Sequence, residues 1–141
     1  MDDLIIRNGK ISDAETIVSF QKNMARETEN KELSGDHIRP GVMSVFDEDE
    51  KGFYLVAESN GEVVGSLLVT YEWSDWRNGW FWWIQSVYVA KDSRRKGIYR
   101  CLYNEVNQRC KKTEGICGIR LYVEKNNTIA KNVYQNLGMQ E

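Results

Sequence analysis

Imidazole, proline and thiol groups are scarce in this 141-residue chain, which carries one histidine, one proline and three cysteines. His37 alone cannot build an imidazole-rich centre, and Cys101, Cys110 and Cys117 lack any C-x-x-C spacing, so no metal is assigned. Three cysteines without a disulfide framework fit a reduced compartment, and a cytoplasmic location is expected. No apolar run approaches bilayer-spanning length, and the start, Met1-Asp2-Asp3, is acidic rather than a basic leader, so no membrane role is expected. An excess of positive charge is missing as well. Lys and Arg number 19 against 21 Asp and Glu, a net charge of -2, which counts against a nucleic-acid partner. Repeats, linkers and low-complexity tracts are absent. Residues 1–141 therefore read as one domain, and with 41% hydrophobic residues the chain can bury a core without staples.

What is present alternates between two periods. Leu4 to Arg7 predicts a first strand. Ser12-Asp13-Ala14-Glu15 matches a capping box, with Ala14, Ile17, Val18 and Ala25 following at helical spacing. Glu27 to Leu33 reads as a polar connector, and a second helix is expected over about Gly41 to Phe46. Phe53–Ala57, Val63–Tyr71 and Trp80–Val89 predict a three-strand meander, turned at Asn60-Gly61 and Asn78-Gly79. Ile98, Leu102, Val106 and Cys110 then fall four apart, so Gly97 to about Lys112 is expected to be a helix leading to a parallel strand over Ile119–Val123. A last helix starts at Asn127 or Thr128 and ends at Gly138. The order β-α-α-β-β-β-α-β-α gives an α+β fold, a mixed and mostly antiparallel sheet flanked by helices.

The segment from Ser86 to Tyr99 joins a strand end, a basic loop with one glycine and a helix start. A helix N-terminus offers unpaired N–H groups and a positive dipole end, which favours a phosphate. Gly97 lets the backbone come close to oxygen atoms, and Arg94, Arg95 and Lys96 add charge. The loop is not a P-loop, because G-x-x-x-x-G-K-[ST] is absent, and one glycine does not make a dinucleotide fingerprint.

Two patterns carry a family resemblance. Arg94-Arg95-Lys96-Gly97-Ile98-Tyr99 resembles the [QR]-x-x-G-x-[GA] motif of the GNAT acetyltransferases, with Tyr99 standing where that family has Gly or Ala. Asn127 to Met139 resembles its N-x-x-A-x-x-x-Y-x-x-x-G-[FM] segment, and Val87-Tyr88-Val89 looks like its fourth strand. The resemblance spans about Gly52 to Met139 and implies the GNAT acyl-CoA N-acyltransferase fold. Because family members continue into another strand beyond the position of Glu141, it also implies a C-terminal strand that is short or missing, leaving the edge beside Ile119–Val123 uncovered, covered by a partner or truncated.

The function implied is transfer of the acetyl group of acetyl-CoA to a primary amine, on a small molecule or a protein, by direct attack in a ternary complex. By that resemblance Val87, Tyr88 and Val89 border the pantetheine arm, with backbone hydrogen bonds from Val87 and Val89. The amides from Arg94 through Arg95, Lys96, Gly97 and Ile98 to Tyr99 hold the pyrophosphate, and Asn127 contacts the pantetheine region. Tyr134 is assigned as general acid and cofactor contact. Gln85 sits where related enzymes often carry a glutamate and cannot accept the proton, so Glu72, Glu124 and Asp75 are the candidate bases, acting through water. Cys101 has no imidazole partner and reads as a packing residue. Of Trp73, Trp76, Trp80, Trp82 and Trp83, most are expected to pack, in the core or at a possible homodimer contact, with one or two forming an acceptor wall. Two alternatives stay open: a catalytically silent acetyl-CoA sensor, and a nucleic-acid binder using the basic loop and the tryptophans.

Overall fold

The computed structural model describes the backbone over residues 3–32, 35–122 and 128–140. The strands are β1 (Leu4–Asn8), β2 (Phe53–Ser59), β3 (Glu62–Ser74), β4 (Gly79–Val89) and β5 (Ile116–Leu121). The helices are α1 (Ala14–Glu29), α2 (Gly35–Asp47), α3 (Ile98–Lys112) and α4 (Thr128–Asn136). One five-stranded sheet runs in the order β1-β2-β3-β4-β5, antiparallel except for the β4–β5 pair. This is the expected α+β sandwich. No described helix is long and apolar enough to cross a membrane.

Both sheet faces are covered, which explains why β2 reads as a continuous apolar run instead of an alternating one. Leu55, Leu67, Val69, Trp82 and Ile84 point to one face and meet Ile98, Leu102 and Val106 of α3, the four-residue stripe read from the sequence. Tyr54 and Val56 point the other way, against Ala14, Ile17 and Val18 of α1 and Val42 of α2. Cys110 extends the α3 stripe at the core margin, where burial pushes its thiol up to about 11. The β2–β3 hairpin turns at Asn60 and Gly61, with φ of 52° and 81°, the paired positive angles that a tight hairpin requires.

Several boundaries differ from expectation, each for a local reason. The chain enters α1 through a single 3-10 turn at Ile11–Asp13. That turn moves the capping role from Ser12 and Glu15 to Asp13, whose Oδ2 accepts the Lys10 N–H at 2.7 Å. Glu15 instead pairs with Arg39 of α2 at 2.7 Å. Helix α2 begins before Pro40 rather than after it, since a proline early in a helix removes only one interior bond. Helix α1 continues to Glu29, taking in Glu27, which the sequence suggested was connector. Strand β5 starts at Ile116, in register with Trp80, and is the last strand among the described residues.

Arg7 fastens β1 to this scaffold. Its guanidinium donates to both oxygens of Asp13, at 2.8 and 3.2 Å, and to Glu58 of β2 at 3.0 Å. Chiefly through the Arg7 hydrogen bonds, the Asp13 carboxyl is held below the ordinary carboxylate range. A depressed folded-state pKa gives stability that is present above the unfolded value of about 4 and lost as pH falls through the folded value. Removing one member of a mostly buried pair strands the other, so Asp13→Ala is expected to lose about 2 kcal/mol in urea denaturation at neutral pH. Asp13→Asn should also flatten the loss of stability that the unaltered protein shows on acidification below about pH 4.

Candidate functional site

The site begins where the sheet comes apart. Strand β4 pairs with β5 over Trp80–Ile84, and among the described residues no pairing follows. Two positions further on, Ser86 takes φ of 54°, and the β3–β4 register slips between Ser66 and Leu68. Ser86 and Val87 thus oppose the single residue Leu67, a bulge that bends the strand and leaves its peptide groups outside the β5 ladder. A cavity of about 560 Å³ opens there, bounded by Thr70, Glu72, Trp83, Gln85, Val87 and Tyr134. A neighbouring one of about 580 Å³ lies between β5 and α4, and Tyr134 borders both.

At the far end of β4 the basic loop turns into α3. Arg95 and Gly97 hold positive φ, 65° and 79°, so the last peptide units reverse direction just before the helix. The first-turn amides of Ile98, Tyr99 and Arg100 have no helical carbonyl to bind. A Cβ built on Gly97 would meet no atom within 4 Å, so the surface above the helix start is open. Arg95 and Lys96 are exposed beside it. Unpaired amides, the positive helix end and two free cations make an anion cradle.

Arg94 does not aim its side chain into that cradle. Its Nε donates to the Val89 carbonyl at 2.9 Å, one Nη donates to Glu27 at 2.6 Å, and the guanidinium lies over the Tyr88 ring at 5.3 Å. Tyr88 is buried and also faces α1, with its hydroxyl donating to Glu27 at 2.5 Å and its ring 5.1 Å from Phe20.

Tyr99 points inward, away from the loop. Its ring lies 5.8 Å from Tyr134 and 6.5 Å from Tyr103, between α3 and α4, and its hydroxyl is buried near that of Tyr134 but outside good hydrogen-bond geometry with any described residue. The bulky side chain expected near a phosphate is therefore a wall of the inner cleft. Tyr134 is half-buried. Burial raises its phenol above the ordinary value, and Tyr99 offsets part of the rise.

The remaining candidates fall in different places. Glu72 lines the cavity beside the bulge, where Oε1 accepts from Trp83 Nε1 at 3.0 Å and from Arg120 at 2.8 Å. Its Oε2 has no bond to a described residue. Gln85 donates to Thr70 within the same wall. Asp75 lies at the distal β3–β4 turn, away from this group. Glu124 and Asn127 lie outside the described residues. The tryptophans divide between core, cavity wall and surface. Trp82 alone is buried, Trp83 stacks on Tyr122 at 5.0 Å along the cavity, and Trp73, Trp76 and Trp80 are 49%, 96% and 43% exposed. Trp73 and Trp80 lie edge to face at 5.1 Å on the outer part of the β3–β4 hairpin, and Trp76 sits at its turn. Sequence reasoning missed Glu27, Arg120 and Tyr122. Among the described residues, no group of three metal-binding side chains occurs.

Comparison with known proteins bears on this geometry. Residues 16–139 match the model of the Acetyltransferase (GNAT) family. The crystal structure of a possible acetyltransferase from Clostridium difficile 630 is 48% identical, with a TM-score of 0.92 over 98% of this chain and 91% of that one. A predicted acetyltransferase from Clostridium acetobutylicum, solved with acetyl-CoA, is 20% identical, with a TM-score of 0.77 over 98% and 90% of the two chains. An aminoglycoside acetyltransferase from an uncultured soil metagenomic sample, solved with sisomicin, is 15% identical, with a TM-score of 0.80 over 99% and 91%. The last two share the fold. No curated protein matches the sequence.

The Tyr99 hydroxyl, buried beside Tyr134 at poor hydrogen-bond geometry, yields a test of this packing. A buried donor without an acceptor costs about 1–3 kcal/mol. Tyr99→Phe is expected to raise the unfolding free energy of the free protein by about 1 kcal/mol in urea denaturation. A loss of stability instead would mean that the hydroxyl is bonded.

Proposed function

Because this chain belongs to the Acetyltransferase (GNAT) family and is an acyltransferase, we propose that it moves the acetyl group of acetyl-CoA to a primary amine by direct attack in a ternary complex. The observation carrying this reading is the alignment of two features on one strand. The bulge at Ser86–Val87, just past the last β4–β5 pair, and the amide cradle at Gly97 lie near the start and at the end of the same segment, Ile84 to Gly97. An arm anchored by its diphosphate at the cradle would run back along β4 to the cavity beside Ser86, Val87 and Tyr134.

Acetyl-CoA supplies an activated thioester, and the chain's residues place it and handle protons. The cradle amides from Arg95 to Tyr99, with the Arg95 and Lys96 side chains, hold the diphosphate. Arg94 contributes its backbone there and uses its side chain elsewhere. Val87, and Val89 through its N–H, border the arm, and a bulge amide facing the carbonyl oxygen would stabilise charge developing on it. Tyr134 stands where the two cavities meet. Its raised phenol stays protonated at neutral pH and can donate as the thiolate departs, although the phenol is a weaker acid than a thiol of pKa about 8.5. On the acceptor side, Glu72 keeps Oε2 open and is the described carboxylate best placed to take the ammonium proton through water. Trp83 and Tyr122 form a flat aromatic wall suited to an amine-bearing chain. Tyr99, turned inward, leaves the cradle clear and favours turnover over a silent sensor. The free thiols of Cys101, Cys110 and Cys117 suit the cytoplasm, and a homodimer would form on the exposed Trp73, Trp76 and Trp80.

Two measurements test the reading. In calorimetry coenzyme A should bind the unaltered protein, and Gly97→Glu should abolish that binding, because a carboxylate would face the diphosphate and φ of 79° disfavours any side chain. Undiminished binding would remove the cradle from the mechanism. In a thiol-release assay across polyamines, aminoglycosides, amino acids and peptides, Tyr134→Phe should lower kcat by about 100-fold, with KM for acetyl-CoA little changed. Full turnover in that variant would eliminate Tyr134 as the acid.

A further inference from the structure

We propose that Glu27 is a positioning residue for the cofactor: its carboxylate clasps Arg94 and Tyr88, and through Arg94 sets where the amide cradle begins. The proposal rests on the reading that the cradle holds the diphosphate of coenzyme A.

Glu27 lies in the last turn of α1, 67 residues before Arg94. Both of its oxygens are used, and by different elements. Oε1 accepts from the Arg94 guanidinium at 2.6 Å, and Oε2 accepts from the Tyr88 hydroxyl at 2.5 Å. Arg94 is in turn fixed at its Nε by the Val89 carbonyl and lies over the Tyr88 ring. A planar guanidinium held on two edges and one face has little freedom left. Three parts of the fold meet in this cluster: the end of α1, the end of β4 and the first residue of the loop.

The loop itself has little else to hold it there. The Ser93 N–H binds the Ala90 carbonyl at 2.8 Å, closing the turn ahead of Arg94. The Arg94 N–H reaches the Lys91 carbonyl only at 3.5 Å, and among the described residues the next backbone bond of the loop is from the Cys101 N–H to the Gly97 carbonyl, already inside α3. Between them the chain takes positive φ at Arg95 and Gly97, so a small displacement at Arg94 changes the aim of every amide that follows. As a bare ion pair, with side chains 38% and 37% exposed, Arg94–Glu27 would be worth little. Its weight comes from the geometry shared with buried Tyr88.

Charge points the same way. Arg94 is neutralised by Glu27, and both pKa values move in the direction of the ionised pair, with the carboxyl lowered first by Tyr88 and then by Arg94. The positive field for a diphosphate is thus left to Arg95, Lys96 and the helix end. If Arg94 met the diphosphate directly, Glu27 would be a repulsive neighbour that weakens binding. If it is a clasp, Glu27 is needed.

These alternatives predict opposite results. Calorimetric titration with coenzyme A would compare the unaltered protein with Glu27→Ala, Arg94→Met and the double variant. Pantetheine, which has no diphosphate, would serve as the second probe in each. We expect each single variant to weaken coenzyme A about 5- to 10-fold, as for loss of a charge-assisted hydrogen-bond network, and the double variant to weaken it no further. Pantetheine affinity should not change. Glu27→Asp, which keeps the charge but withdraws it by one methylene, should weaken coenzyme A in the same direction and stands in if the alanine variant does not fold. Unaltered or tighter coenzyme A binding in the Glu27 variants, multiplicative effects in the double variant, or equal loss for pantetheine would overturn the clasp. If the unaltered protein takes up no coenzyme A, the cofactor reading falls and the clasp with it; normal uptake with indifferent Glu27 variants removes the clasp alone.

Discussion

The parting of β4 from β5 after Ile84 is the constraint on which the rest of the site depends. A parallel pair buried in a sheet would ordinarily satisfy every peptide group of both strands. Here Ser86 adopts a left-handed conformation, one extra residue enters β4 opposite β3, and among the described residues no β5 pairing continues past Ile84. A gap of that kind is costly when filled by nothing and useful when filled by another extended chain. The cavity sits in this gap rather than in a loop. Its walls are therefore strand and helix residues fixed by the two-sided core.

Around that gap the molecule separates two electrostatic tasks. One end of β4 carries the anion cradle, built mainly from backbone amides and the helix dipole, with Arg95 and Lys96 at its mouth. The middle carries an aromatic and carboxylate wall of Trp83, Tyr122 and Glu72, with Arg120 tying Glu72 in place. Tyr134 and Tyr99 lie between them in half-buried surroundings that keep both phenols protonated. Helix α1 serves the cradle end. Its apolar stripe covers one sheet face, and its last turn brings Glu27 to the loop.

Much of this was legible in the sequence, for reasons that can be named. The meander and α3 follow from period-2 and period-4 patterns, which are local and strong. The loop around Gly97 is legible because its chemistry depends on backbone and one special φ, both tied to residue type. Glu27 was not legible, because Glu27-Thr28-Glu29-Asn30 looks like any solvated stretch and its partner is far away in the chain. The bulge at Ser86 left no mark either, since serine carries no conformational signature comparable to Gly or Asn. The inward aim of Tyr99 could have been found: Tyr99 and Tyr103 are one helical turn apart, beside the Ile98–Leu102 stripe. For the tryptophans, composition could not assign places. Their number suggested packing, in the core or at a contact between copies, without saying which residue went where; Trp82 alone is in the core, and Trp73, Trp76 and Trp80 stand on the surface.

The shortness of the β4–β5 pairing also bears on how the molecule comes together and loosens. The β2–β3–β4 meander is made of near-neighbours in the chain and can assemble first, whereas β5 reaches β4 only after the whole of α3 has folded between them. The seam between the early and the late part is the cleft itself. Among the described residues, local opening along that seam releases the Trp80–Ile84 pairing and the β5 side chains packed at the core margin, while the two-sided core of β2 and β3 stays intact. In such a molecule the segment that must yield for a long, narrow ligand to come and go is the one that was last to dock.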